Sequence, residues 1–82
     1  MPRIDITIKS NEDVYMNGVK VSRDNFTSAF NSALSEFSEE EKEIHIIRLS
    51  VDEQTKMRVV IWVKNALKEN NSLKIHYRSI KK

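Results

Sequence analysis

The chain has 82 residues with one glycine, one proline and no cysteine, and its 14 Lys and Arg against 12 Asp and Glu give a formal charge of +2. That length makes one small domain, able to bury only about 60% of its unfolded surface, so a partner or a second copy is expected to add to its stability. Without cysteine there is no disulfide staple, thiol catalysis, Cys-ligated zinc or iron–sulfur cluster, and basic residues scattered along the chain are a poor footprint for nucleic acid.

The alternation of Ile4, Ile6 and Ile8 with Asp5, Thr7 and Lys9 has the period of a strand with one wet face. After the break at "SNED", the runs Val14-Tyr15-Met16 and Val19-Lys20-Val21 flank Asn17-Gly18. That pair predicts a two-residue type I′ hairpin, because both of its central residues need positive φ. Ser22 then reads as a helix N-cap, with Asn25 standing where a full capping box has Glu, and Asp24 complements the dipole in the first turn. Phe26, Ala29, Phe30, Ala33, Leu34 and Phe37 form one apolar stripe of helical period, expected to be core.

The acidic block "SEEEKE", from Ser38 to Glu43, reads as a solvated connection. Beyond it "IHIIRL", Ile44 to Leu49, is nearly continuous in apolar residues and suits an interior strand. The next helix start has two readings. Ser50 and Glu53 match a capping box, while Thr55 as cap aligns Met57, Val60, Val63 or Lys64, and Leu67; the later start is preferred. Val59, Ile61 and Trp62 widen that helix's apolar arc, so Trp62 is either packed under a neighbouring element or in contact with another chain. Asn70-Asn71 replaces the usual C-cap glycine, and Leu73 to Arg78 alternates as a last strand with a basic outer face.

The order is therefore β-β-β-α-β-α-β, a two-layer α/β (α+β) domain. One mixed sheet carries two helices on one face, with a parallel βαβ unit between Ile44 and Tyr77. It offers little for catalysis. No phosphate-cradling loop or nucleophile elbow is present, and His45 with His76 on two strands lacks the third ligand a metal site requires. Asp52 and Glu53 before the second helix are placed for its dipole. A non-enzyme without cofactor or metal is expected.

The segments "ITIKSNEDVYMNGVKVSRDNF" and "IHIIRLSVDEQTKMRVVIWVKNALKENNSLKIHYRS" together resemble the periplasmic domain of the ExbD/TolR biopolymer-transport family. An isoleucine-alternating strand, a Tyr-x-Asn-Gly hairpin at Tyr15, Asn17 and Gly18, and a Val-Ser helix entry at Val21 and Ser22 carry the likeness. A strand leading through Asp52 and Thr55 into a Val-Val helix at Val59 and Val60 completes it. The resemblance implies a single periplasmic domain over 1–82, anchored in the inner membrane by a transmembrane helix that would precede Pro2 and carry a proton-bearing aspartate. It implies a homodimer within ExbB/TolQ-like subunits, acting on a TonB- or TolA-like protein so that proton flow powers outer-membrane transport.

Two alternatives accompany that reading. A TolR-like domain of the Tol–Pal envelope system would bind peptidoglycan, with Lys74, His76 and Arg78 as candidate contacts. An unrelated cytoplasmic module binding RNA or protein would need a basic, aromatic sheet face, for which only Tyr15 and Tyr77 are available.

Overall fold

A computed structural model describes residues 2–70 and 74–80. Five strands form one mixed sheet: β1 (Arg3–Ile8), β2 (Val14–Met16), β3 (Val19–Val21), β4 (Ile46–Asp52) and β5 (Ile75–Ile80). Their spatial order is β3-β2-β1-β4-β5. The β1–β2 and β2–β3 pairs are antiparallel, and β4 lies parallel to both β1 and β5. The expected parallel βαβ unit and the two-layer mixed-sheet architecture are both present. Among the described residues there are three helices, α1 (Phe26–Ser35), α2 (Glu39–Ile44) and α3 (Met57–Glu69).

One face of the sheet is apolar because the strand alternation is in register across it. Ile4, Ile6 and Ile8 lie opposite Ile47, Leu49 and Val51, and Met16 and Val14 continue two of those rows into the hairpin. Phe26 and Phe30 from α1, and Val59, Val60, Val63 and Leu67 from α3, close over this face as a single buried cluster. Position 64 of the alternative helix alignment is exposed and Val63 is the buried one; Met57 is 64% exposed, and Val59 takes its place in the core.

The hairpin is held at both turn residues. Asn17 and Gly18 have φ of 51° and 85°, the left-handed values that a type I′ turn imposes. Asn17 is also tied to β1: its N–H donates to the Asp5 carbonyl at 2.8 Å, and its Oδ1 accepts from the Asp5 N–H at 3.0 Å. The turn thus extends the β1–β2 ladder by one residue.

The helix starts differ from the sequence reading. Ser22 is not the N-cap of α1; its Oγ accepts from the Asn25 N–H in a turn that precedes the helix, and Asn25 is the N-cap without a side-chain bond. Asp24 accordingly lies in that turn and not in the first helical turn. The acidic block is a helix, because Ser38 and Glu41 form a reciprocal capping box and Glu39, Glu40 and Glu41 sit at its positive end. It consumes Ile44, so β4 begins two residues later than the run "IHIIRL" suggests, and His45 is a linker wedged against Phe30 and Phe37.

Ser50 cannot cap a helix, since it lies within β4 between Thr7 and Arg78. The later start of α3 is correct but Thr55 is not its cap. Lys56 occupies that position with no side-chain bond, while the Thr55 hydroxyl is buried without a hydrogen-bond partner. The turn into α3 is organised instead by Asp52, whose Oδ1 and carbonyl accept the N–H groups of Gln54 and Thr55 at 2.9 Å each. At the other end Asn70 caps α3 in a non-left-handed conformation, its Nδ2 donating to the Ala66 carbonyl at 2.7 Å. Asn71 and Leu73 lie outside the described residues.

A Cβ at Gly18 would meet nothing within 4 Å, so Gly18→Val tests backbone strain alone. A loss of about 1–2 kcal/mol in urea unfolding is expected, and an unchanged midpoint would contradict the turn geometry. Lys56→Asp should stabilise the domain by about 1 kcal/mol by supplying the acceptor that α3 lacks, measured as an upward shift of the denaturant midpoint.

Candidate functional site

Two surfaces stand out once the helices are packed. The first is the sheet face they leave open. Residues directly opposite one another share a face, so Lys20, Tyr15, Thr7, Ser50 and Arg78 form one row across all five strands, and Asp5, Arg48 and His76 form the next. Arg3 lies beyond that second row, and Lys9 beyond the first, with its ammonium 4.8 Å from the centre of the Tyr15 ring. Asp5 is the central acid of the face, its Oδ1 3.2 Å from Arg3 Nε and 4.0 Å from Arg48 Nε. Arg3, Lys9, Lys20, Arg48 and Arg78, scattered along the sequence, are brought to this one face by the polar positions of the strand alternation.

The candidate contacts Lys74, His76 and Arg78 belong to this surface. His76 and Arg78 are exposed on β5, and exposed Lys74 precedes the strand in step with them. Tyr77 points the other way. It lies in the row of Leu49, 53% exposed, with the Lys64 ammonium of α3 5.0 Å from its ring centre. Tyr15 and Tyr77 thus occupy opposite faces and do not form a shared stacking platform. The two histidines are likewise separated: His45 packs on the phenylalanines of the helical layer and His76 sits beside Arg48 on the open face.

Strands β3 and β5 are the edges of the sheet. The Ile47 N–H donates to the Lys74 carbonyl at 2.9 Å, which fixes the phase of β5. Residues 74, 76 and 78 address β4, and the main-chain groups of Ile75, Tyr77 and Ser79 point away from it. That outward row is a template for one more strand.

The second surface is a cleft of about 440 Å³ between the hairpin and α3. Val14, Val21, Val59 and Trp62 supply its apolar wall, and Glu12, Asp13, Lys20, Arg23 and Arg58 its charges, with Lys20 Nζ 3.5 Å from Asp13 Oδ1. Trp62 is half-buried, edge-on to Phe26 with ring centres 5.5 Å apart, and the Arg23 guanidinium lies 6.0 Å from the indole. A neighbouring hollow of about 230 Å³ shares Arg23 and Trp62 and reaches Thr27 and Glu69. Trp62 is therefore packed within its own chain and still forms a wall of two open hollows.

Glu12 is the unusual residue of this cleft. Its φ is 72°, left-handed without being glycine or asparagine, in the loop between β1 and β2. The Glu12 N–H donates to the Lys9 carbonyl, and the Lys9 N–H donates to the Asp13 carbonyl, so the loop holds that conformation. Arg58 Nε and a terminal guanidinium nitrogen both reach the same Glu12 oxygen at 2.7 Å. With side chains 69% and 35% exposed, this pair is worth about 0–1 kcal/mol, against about 1–2 kcal/mol for a left-handed non-glycine residue. The ion pair does not outweigh the strain beside it.

The Trp62–Phe26 contact should couple the two helices. A double-mutant cycle with Trp62→Ala and Phe26→Leu, read by chemical denaturation, is expected to give a coupling of about 0.5–1.5 kcal/mol. Searches against known proteins found no family model and no curated sequence that this chain matches.

Proposed function

We propose that this domain is the periplasmic output arm of a proton-motive-force-driven energy-coupling complex of the ExbD/TolR type, and that it works by docking an extended segment of a TonB- or TolA-like partner. The observation that carries the reading is the outward main-chain row of Ile75, Tyr77 and Ser79 on an edge strand with no chain beside it among the described residues. An extended partner adds a strand there without any dedicated motif, which suits a protein that lacks the usual catalytic signatures. The sequence resemblance supplies the system. Its quoted parts fall on β1, the β2–β3 turn, the entry to α1, and the β4–α3 connection, so they follow the fold element by element.

In this reading a membrane segment preceding the domain carries the proton, and the domain converts its movement into a change of partner affinity. Proton flow does work only if the partner binds two arrangements of the domain differently. The native assembly is a pair of such domains held within ExbB/TolQ-like subunits.

The open basic face favours a second reading within the same family, binding of peptidoglycan as in TolR. Arg48, His76 and Arg78 are adjacent there, and the carboxylates of the peptide stems would meet them. Lys74 extends the same surface.

The two readings separate on one substitution. Tyr77→Pro removes an outward main-chain donor while leaving the β4 ladder intact, and proline is tolerated at such edge positions. In cells, transport driven by the complex should be lost with Tyr77→Pro and retained with Tyr77→Ala, because the main chain and not the ring makes the contact. Retained transport with Tyr77→Pro would rule out strand addition at β5. A peptidoglycan pull-down lost on reversing Arg48 and Arg78 to Glu would favour the second reading instead.

A further inference from the structure

The cleft between the hairpin and α3 has the composition of a site whose anion is supplied from within. Arg58 and Trp62 are one turn apart on α3 and both line it, with Val59 between them as part of the apolar wall. Arg23 projects over Trp62 from the turn before α1, and no carboxylate pairs with it among the described residues. Glu12, left-handed at φ 72°, supplies the carboxylate that pairs with Arg58. Every component needed to hold a carboxylate next to an apolar side chain is therefore assembled, and Arg23 is the guanidinium left without a carboxylate.

We infer that this cleft is a binding site for an acidic peptide segment, in which a ligand carboxylate displaces Glu12 from Arg58 while a neighbouring apolar side chain packs on Trp62, Val21 and Val59. Three features select that ligand class. The guanidiniums of Arg58 and Arg23 take a carboxylate through charge-assisted hydrogen bonds. The apolar wall requires an adjacent hydrocarbon group, which a free inorganic anion does not have. The cavity volume of about 440 Å³ lies in the range of small-ligand sites, large enough for a short peptide and too small for a folded domain to enter. Glu12 then acts as a built-in competitor. Removing its carboxylate should tighten binding by up to about five-fold, the worth of an exposed ion pair no longer competing for Arg58.

This inference stands apart from the proposed function, because β5 and the hairpin lie at opposite edges of the sheet. Trp62 is the single tryptophan of the chain and lines the cleft, so its emission reports occupancy directly. The probe is the peptide N-acetyl-Leu-Glu-Val-amide, titrated to about 10 mM, with the Gln-for-Glu peptide as its uncharged control. The acidic peptide is expected to shift Trp62 emission with saturation and the control is not. Binding should be lost in Arg58→Ala, weakened in Arg23→Ala and tightened in Glu12→Gly. Since Arg23 and Arg58 are exposed, these variants should retain the native fold, and unchanged far-UV circular dichroism would verify it.

The assignment is overturned if neither peptide changes the emission, if both bind equally, or if Glu12→Gly leaves the acidic peptide's affinity unchanged. A response to acetate equal to that of the acidic peptide would also overturn it, since it would show an anion site without the apolar half.

Discussion

The fold depends on the parallel pairing of β1 with β4. Ile4, Ile6 and Ile8 are 0% exposed and lie opposite Ile47, Leu49 and Val51, so each row of this pair is buried on the helical side. Everything else attaches to it. The hairpin extends the sheet from β1, β5 extends it from β4, and α1 and α3 are held down by the apolar surface the pair presents. A one-residue slip of β1 against β4 would send Ile4, Ile6 and Ile8 to the open face and bring Asp5 beneath the helices, which is why this register is strongly specified.

The open face is the counterpart of that buried one. The same alternation that delivers isoleucines to one side delivers Arg3, Asp5, Arg48, His76 and Arg78 to the other. Charge on this side also protects the domain. Exposed edges invite pairing with other chains, and Lys20 on β3 and Arg78 on β5 are the kind of residues that discourage it unless a partner brings complementary groups.

Most of the architecture was legible because each element has its own period. The isoleucines of β1, the Asn17-Gly18 turn, the stripe from Phe26 and the valine-rich α3 all declare themselves locally. The helix starts were less legible: Ser22 and Thr55 lie three and one residues before the true caps Asn25 and Lys56, and S-x-x-E occurs twice with only burial to distinguish the two. Ser38 to Glu41 is a real capping box on an exposed helix, while Ser50 to Glu53 begins inside a central strand whose main chain is already paired. The cleft could not be read from the sequence as a site, and the open face only in part. Glu12, Arg23 and Arg58 are far apart along the chain, and the left-handed φ of Glu12 has no sequence signal, because glycine or asparagine would be expected there. Lys74, His76 and Arg78 were visible as a stripe, but their neighbour Arg48 required the β4–β5 register.

The β1–β4 pairing also sets the order of events during synthesis. Ile4 and Ile47 are partners across 43 positions, whereas the hairpin closes over a two-residue turn. On a ribosome adding about 5–20 residues per second, the second side of β1 waits roughly 2–9 s for its strand to be made. The hairpin forms within microseconds and covers the first side at once. The nascent chain therefore exposes a half-finished isoleucine strand for seconds, with α1 the first helix able to shelter it. Its vulnerability to aggregation is concentrated in that interval, before the ribosome has reached β4.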